Sequence, residues 1–317
     1  MNDSGNNGNT NRFAKPFLKW AGGKSQLLKQ FEKFYPPELK SGQIKKYIEP
    51  FVGSGAVFFD IVQKYPLESV YLHDVNEDLI LTYCVIRNDP QLLIEHLSRH
   101  SKQYHKLPDK QRKDYYYGMR EKFNRQRQNI NPGKYSQQWA ARAGQLIFLN
   151  KTCYNGLFRL NQRGGFNVPF GKYKNPKIID EDNILRVSAT LQNVEILYGD
   201  FTDCQKYAGD DTFIYFDPPY RPISQTSAFT SYSKDDFGDE QQRELAQLFK
   251  ALDRRYNIKL MLSNSDPSNE KPGDAYFSNL YRDFHFYKVQ ANRMINCRPE
   301  KRGRISELVI TNYTVTI

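Results

Sequence analysis

The apolar run Phe213-Ile214-Tyr215-Phe216 breaks off at Asp217-Pro218-Pro219-Tyr220, and this break constrains the fold more than any other stretch of the chain. With Thr212 before it, the run is short, aromatic and uninterrupted, as a buried strand is. Neither proline can donate to a strand ladder, so the strand ends at the carboxylate. In open α/β sheets, ligands bind at that edge, outside the C-terminal ends of the strands. The competing reading is a plain turn that does no more than stop a strand.

Two upstream segments favour a site. Tyr47-Ile48-Glu49-Pro50-Phe51-Val52-Gly53-Ser54-Gly55 reads as a strand and a Gly-x-Gly turn, followed by an apolar helix to about Lys64. Glycines there let the backbone turn tightly and come close to a ligand. Ser69 to Asp74 then reads as a second strand ending in an acid, 21 residues after Gly53. That spacing presents a carboxylate to ribose hydroxyls in nucleoside-binding α/β folds; the alternative is an Asp that caps the next helix. Phe17 to Lys24 is a glycine-rich turn feeding a helix that starts near Ser25. The tail Gly23-Lys24-Ser25 imitates a triphosphate-binding loop, but position 18 is Leu where that motif needs Gly.

Further strands are expected at Val194 to Phe201, which contains Asp200, and at Ile258 to Ser265, with a hairpin formed by Phe284 to Met294 and Glu307 to Tyr313. Leu245, Leu248, Phe249 and Leu252 have helical spacing, which predicts a packed helix without site chemistry. His96 and His100 share a helical face, expected to be a solvated surface because no third metal ligand lies nearby.

The 317 residues carry a net charge of +11, which points to a polyanionic partner, with nucleic acid ahead of an anionic membrane surface. The excess is local. Residues 77–177 hold 19 Lys plus Arg against 7 Asp plus Glu, and no acid occurs from Lys122 to Ile179. Phe123, Tyr135, Trp139, Phe148, Tyr154, Phe158, Phe166, Phe170 and Tyr173 lie in that acid-free stretch. Basic groups for phosphates and aromatics for bases are what nucleic-acid contact needs. No apolar run approaches the roughly 20 residues of a spanning helix, and the polar first residues lack a signal-peptide core, so a soluble, cytoplasmic protein is expected. Cys84, Cys153, Cys204 and Cys297 form no CxxC pair and read as free thiols.

From Lys15 onward the chain resembles the Dam-like (D12 class) adenine-specific DNA methyltransferases. Four matches in the family's order carry the resemblance: FLKWAGGK at 17–24, EPFVGSGAVF at 49–58, CYNGLFR at 153–159 with NVPFG at 167–171, and DPPY at 217–220. The resemblance implies an α/β, Rossmann-like S-adenosylmethionine-dependent sheet (residues 13–76 and 178–317) with an inserted, mainly helical DNA-recognition domain (77–177); the polar, Asn- and Gly-rich tail (1–12), expected from its composition to be disordered, departs from the family. The resemblance also implies S-adenosyl-L-methionine as cofactor and methyl transfer to the exocyclic amine of a flipped adenine in duplex DNA, the family's site being GATC. An RNA amino-methyltransferase, or a non-catalytic DNA-binding protein of the same fold, is the alternative.

Carried over by position, Asp217, Pro218, Pro219 and Tyr220 would be catalytic. Trp20, Lys24, Phe51, Gly53, Gly55, Asp74, Asp200, Phe201 and Asp217 would hold the cofactor. Lys19, Tyr154, Asn155, Leu157 and Arg159 would contact DNA, with Tyr154 wedging into the duplex and Arg159 reading a guanine. The implied partner is double-stranded DNA, met by a monomer associated with the nucleoid, with no metal and no membrane.

Overall fold

A computed structural model describes residues 13–129, 135–221, 237–292 and 304–316. The tail at 1–12, Cys297 and the basic residues 298–303 of the expected hairpin lie outside the described residues. Among the described residues, seven strands, β1 (Lys46–Glu49), β2 (Ser69–Asp74), β3 (Val194–Tyr198), β4 (Thr212–Phe216), β5 (Lys259–Ser265), β6 (His285–Asn292) and β7 (Arg304–Thr311), form one sheet in the order β3-β2-β1-β4-β5-β7-β6. The first five run parallel, and β7 enters antiparallel between β5 and β6. The strand order reverses between β1 and β4, so the crevice outside their C-terminal ends is the place for a ligand.

The two-residue period of a strand explains the core. Tyr47, Phe213, Tyr215, Met261 and Val309 project into one hydrophobic cluster, while their neighbours Ile48, Ile214, Phe216, Leu262 and Ile310 project into another. All five residues of β4 are buried, which explains its unbroken apolar sequence. Burial of each large apolar side chain contributes about 1.5–3 kcal/mol.

The short helices α1 (Leu28–Phe31) and α2 (Pro37–Lys40) lead into β1, and α3 (Ala56–Val62) follows the Gly-x-Gly turn. Then come α4 (Glu77–Asn88), α5 (Pro90–Lys106), α6 (Asp109–Arg125), α7 (Trp139–Thr152) and α8 (Glu181–Thr190), and after β4 come α9 (Asp239–Arg255) and α10 (Tyr276–Leu280). α4 packs on β2 and β3 and also on α7, and the apolar core runs unbroken from the sheet into residues 104–168.

The basic segment is partly interior. Phe123, Trp139, Phe148, Phe158 and Phe166 are buried, so of the aromatic residues expected to be available to bases, these five hold the fold instead. Buried Arg142 pairs with buried Asp78 through two bonds of 2.6 and 3.1 Å, tying α7 to α4. His96 and His100 are also not a solvated pair. His100 lies 3.0 Å from the Tyr115 hydroxyl, against the Phe148 ring, and burial pushes its pKa down to about 4. A Cβ built on Gly144 of α7 would come within 3.1 Å of the His96 side chain, so that face of α5 seats α7.

Candidate active site

Asp217 follows Tyr215 by one strand period and so emerges on the same face, as do Ser263 after Met261 on β5 and Glu307 before Val309 on β7. Asp217 Oδ1 accepts from Lys24 Nζ at 2.7 Å and from the Ser263 hydroxyl at 3.1 Å, and Ser263 Oγ lies 2.7 Å from the Tyr215 hydroxyl. Lys24 is 2% exposed. It sits in the turn after Gly22, whose φ of +74° favours glycine, and Nζ donates to the Gly22 carbonyl at 2.7 Å. Nζ also lies 3.3 Å from the Tyr220 hydroxyl and 5.0 Å from the centre of its ring. The Tyr220 hydroxyl donates to Glu307 Oε1 at 2.8 Å. Pro219 is braced through its carbonyl, which accepts from Gln242 Nε2 at 3.1 Å.

Burial raises the Asp217 carboxyl against the opposing pull of Lys24 and Ser263. Burial alone would lower the Lys24 ammonium, but the charges around it, Asp217 first, outweigh that and raise it. Lys24 therefore stays a cation at the corner.

The neighbouring strand ends supply a cradle. Gly53 and Gly55 have φ of +48° and +71°, and a Cβ on Gly53 would stand 3.0 Å from the Trp20 indole. Asp74 closes the cradle, accepting from Gly53 N at 3.0 Å and Asn76 N at 2.9 Å. Burial pushes its pKa up to about 6 in spite of these bonds. The cap of α4 is Asn76, which accepts from Leu79 N at 3.0 Å, so the capping alternative for Asp74 falls away. Beyond lies an aromatic cluster in which Phe51 stacks on Phe201 at 5.4 Å, with Phe237 edge-on to both. Asp200 is exposed and caps the turn Phe201–Lys206 by accepting from Thr202 N at 2.9 Å. Aromatic side chains, a glycine cradle and a half-buried carboxylate with accepting capacity fit a nucleoside bearing ribose hydroxyls.

The loop after α7 approaches this cradle from the insertion. Tyr154 is 52% exposed at its tip, and Asn155 and Gly156 take left-handed φ of 56° and 65°. A Cβ on Gly156 would stand 2.4 Å from the Lys19 side chain, so glycine allows the two segments to touch. Buried Asn150 clamps them: its Oδ1 accepts from Lys19 N at 2.9 Å, and its Nδ2 donates to the carbonyls of Lys19 and Gly156 at 2.8 and 2.9 Å. Lys19 itself is exposed, with Nζ 5.3 Å over the Tyr173 ring. Leu157 is half-buried, and Arg159 Nε donates to Asn167 Oδ1 at 2.7 Å.

The structure thus brings Trp20, Gly53, Gly55, Asp74, Phe51 and Phe201 to one edge, with Lys24, Asp217 and Tyr220 beside them. Ser263, Gln242, Asn150 and Glu307 join them without having been read from the sequence. Gln242 also changes the reading of α9, which contributes a polar brace to the corner. Glu307 alone carries a signal, an acid inside the apolar strand pattern of 305–311.

The model of the D12 class N6 adenine-specific DNA methyltransferases matches residues 20–295, and the chain belongs to that family. The chain is 51% identical over 300 residues to the type II methyltransferase M.MjaIII of Methanocaldococcus jannaschii, covering 94% of this chain and 99% of that one. It is 38% identical to the type II methyltransferase M1.LlaDCHI of Lactococcus lactis, covering 94% of this chain and 95% of that one. It is 34% identical to the DNA adenine methylase of Haemophilus influenzae, covering 93% and 92%. It is an adenine-specific DNA methyltransferase, and its class draws on a methyl donor of the S-adenosylmethionine type. Among the described residues, no helix is long and apolar enough to cross a membrane.

Proposed function

We propose that this enzyme methylates the exocyclic amine of an adenine flipped out of duplex DNA, within GATC, using S-adenosyl-L-methionine and the corner Asp217-Pro218-Pro219-Tyr220. The supporting observation is the position of Asp217. Its Oδ1 is fixed by Lys24 and Ser263, at the strand end beside the nucleoside cradle. The donor supplies a methyl group made electrophilic by its sulfonium sulfur. Asp74 would accept from the donor's ribose hydroxyls, and Asp200 with Phe201 would face its adenine.

Asp217 and the Pro218 carbonyl accept from the two N–H groups of the target amine. Held by two acceptors, the nitrogen becomes pyramidal and directs its lone pair at the methyl carbon. The Asp217 carboxylate can take up the proton that the amine gives up on methylation. Tyr220 stacks on the flipped base, whose extraction costs a few kcal/mol.

DNA reading falls to the insertion, residues 77–177. Tyr154 is the exposed wedge and Arg159 the guanine reader, with Lys19, Asn155 and Leu157 completing the contact. Basic side chains of the insertion neutralise phosphates, which makes affinity fall steeply with salt.

Labelled S-adenosylmethionine offered with duplexes carrying GATC, a scrambled tetranucleotide or pre-methylated GATC tests the reading. Label is expected in the adenine of unmethylated GATC alone. Equal labelling of the scrambled duplex would overturn the assigned sequence, and a flat salt dependence of binding would overturn the role of the basic insertion.

A further inference from the structure

We infer that Glu307, on the antiparallel strand β7, is a positioning residue for methyl transfer: it is the second carboxylate that keeps the Lys24–Asp217 pair net anionic where the target amine docks. The inference rests on the proposed role of Asp217. Glu307 is 5% exposed, and it reaches the corner from the far side of β5. Its Oε1 accepts from the Tyr220 hydroxyl at 2.8 Å, while its Oε2 stands 3.8 Å from Lys24 Nζ, buried and without a hydrogen-bond partner.

The need for such a group follows from charge. Lys24 lies 2.7 Å from the carboxylate that must attract the target amine. Taken alone, that ion pair is neutral and gives little stabilisation to a nitrogen that becomes positive as it takes the methyl group. One ammonium shared by two carboxylates leaves a net charge of −1, in a buried corner where charge interactions are weakly screened. Glu307 also holds the hydroxyl end of Tyr220, and so sets the tilt of the ring on which the base stacks.

The groups facing Glu307 are Lys24 from the turn before α1, Asp217 and Tyr220 from the end of β4, and Tyr215 from β4; Glu49 on β1 in turn faces Asp217. Burial, resisted by Lys24 and Tyr220, raises the Glu307 carboxyl. Protonation of the cluster as pH falls therefore costs the corner its net negative charge.

Single-turnover methylation of a cognate duplex by Glu307→Gln, Glu307→Asp and Asp217→Asn, each followed across pH 5–9, tests the inference. Donor and duplex affinities are measured in parallel. Glu307→Gln keeps the shape and an acceptor for Tyr220 but removes the charge. Its rate is expected to fall about ten-fold or more with both affinities within about three-fold of wild type. Its acid limb should move to lower pH, because Asp217 then has Lys24 to itself. Glu307→Asp, which keeps the charge, is expected to be faster than Glu307→Gln. A wild-type rate for Glu307→Gln, or a loss carried wholly by affinity, overturns the inference.

If Glu307→Gln does not fold, Glu307→Asp decides. A rate within about ten-fold of wild type supports the charge role, and a larger loss with normal affinities overturns it. Failure of the underlying site is separable: Asp217→Asn with wild-type turnover removes the whole reading. An inactive Asp217→Asn beside an unimpaired Glu307→Gln removes only the role of Glu307.

Discussion

The indole of Trp20 lies stacked on the buried ring of Phe158, with centroids 5.3 Å apart and planes 22° from parallel. Trp20 also walls the backbone of Gly53, and Phe158 stands next to Arg159, so one stacked pair joins the glycine cradle to the loop proposed to read DNA. An aromatic pair of this kind contributes about 0.5–1.5 kcal/mol beyond its buried area. Phe158→Leu should therefore weaken donor affinity by roughly 2–10-fold and reduce discrimination between cognate and near-cognate duplexes at the same time, since coupling between two sites is reciprocal. Donor titration with and without cognate duplex checks this; the stabilisation of each ligand by the other should shrink by the same factor.

Asp217→Asn keeps the size of the corner residue and removes its charge. The amide accepts less strongly from the target amine and cannot take up its proton, so the methylation rate should fall by about 10²–10³-fold or more. Duplex binding should persist, because the phosphate contacts proposed to supply most of that affinity lie on the insertion. Rate and binding measured on one preparation separate the two effects, and a variant that still turns over normally sinks the assignment of Asp217.

The corner itself is legible in the sequence because its determinants are local: an unbroken apolar strand, a carboxylate and two prolines. Gly53, Gly55 and Asp74 are legible for the same reason, as each ends a strand or turn. What holds Asp217 is not. Ser263 reaches it because β5 lies beside β4, and Glu307 reaches its partners Lys24 and Tyr220 because β7 lies beside β5; no sequence spacing encodes that order. The aromatic residues of the insertion mislead for the converse reason: buried Phe166 and exposed Tyr154 look alike until helix packing sorts them. Phe158 is understood only through Trp20, 138 positions away.

Asp74 gives the cradle a pH dependence. Burial raises its pKa to about 6, so in the free enzyme it takes a proton as pH falls through that value. The folded state holds that proton more tightly than the unfolded chain does. This contribution to stability is present in acid and lost as pH rises through about 6. Donor binding runs the other way, because two ribose hydroxyls need an ionised acceptor. Donor affinity should decline as pH drops below about 6, with proton release on binding near that pH. Asp74→Asn should bind more weakly and lose the dependence; calorimetric titration from pH 5 to 8 measures both.

The Asp78–Arg142 pair predicts where the insertion is most vulnerable. Both side chains are buried, Arg142 also donates to the Phe123 carbonyl at 2.7 Å, and the pair joins α4 on the sheet to α7 and α6. Arg142→Leu leaves the Asp78 carboxylate buried without its partner, which should cost about 3–5 kcal/mol. The double variant Asp78→Leu/Arg142→Leu removes both charges and should be less destabilised than the sum of the two single variants. Denaturant unfolding of the four proteins checks this; additive losses would show that the pair is not coupled.

Arg159 offers the sharpest test of sequence reading. Its Nε is bound to Asn167 Oδ1 at 2.7 Å, which fixes the direction of the guanidinium and leaves its terminal nitrogens to meet a base edge. A bidentate pair with guanine O6 and N7 is worth about 1–3 kcal/mol of discrimination. Arg159→Ala should therefore narrow the ratio of methylation rates between GATC and duplexes altered at the guanine by roughly 5–150-fold. Asn167→Ala removes the brace and keeps the reader, so it should narrow the ratio in the same direction by less. A contact to a base predicts that the slope of binding against salt stays near wild type in both variants, whereas loss of a phosphate contact would lower it by about one. An unchanged ratio in Arg159→Ala with a reduced salt slope would mean that the side chain holds the backbone and that the guanine is read by another group.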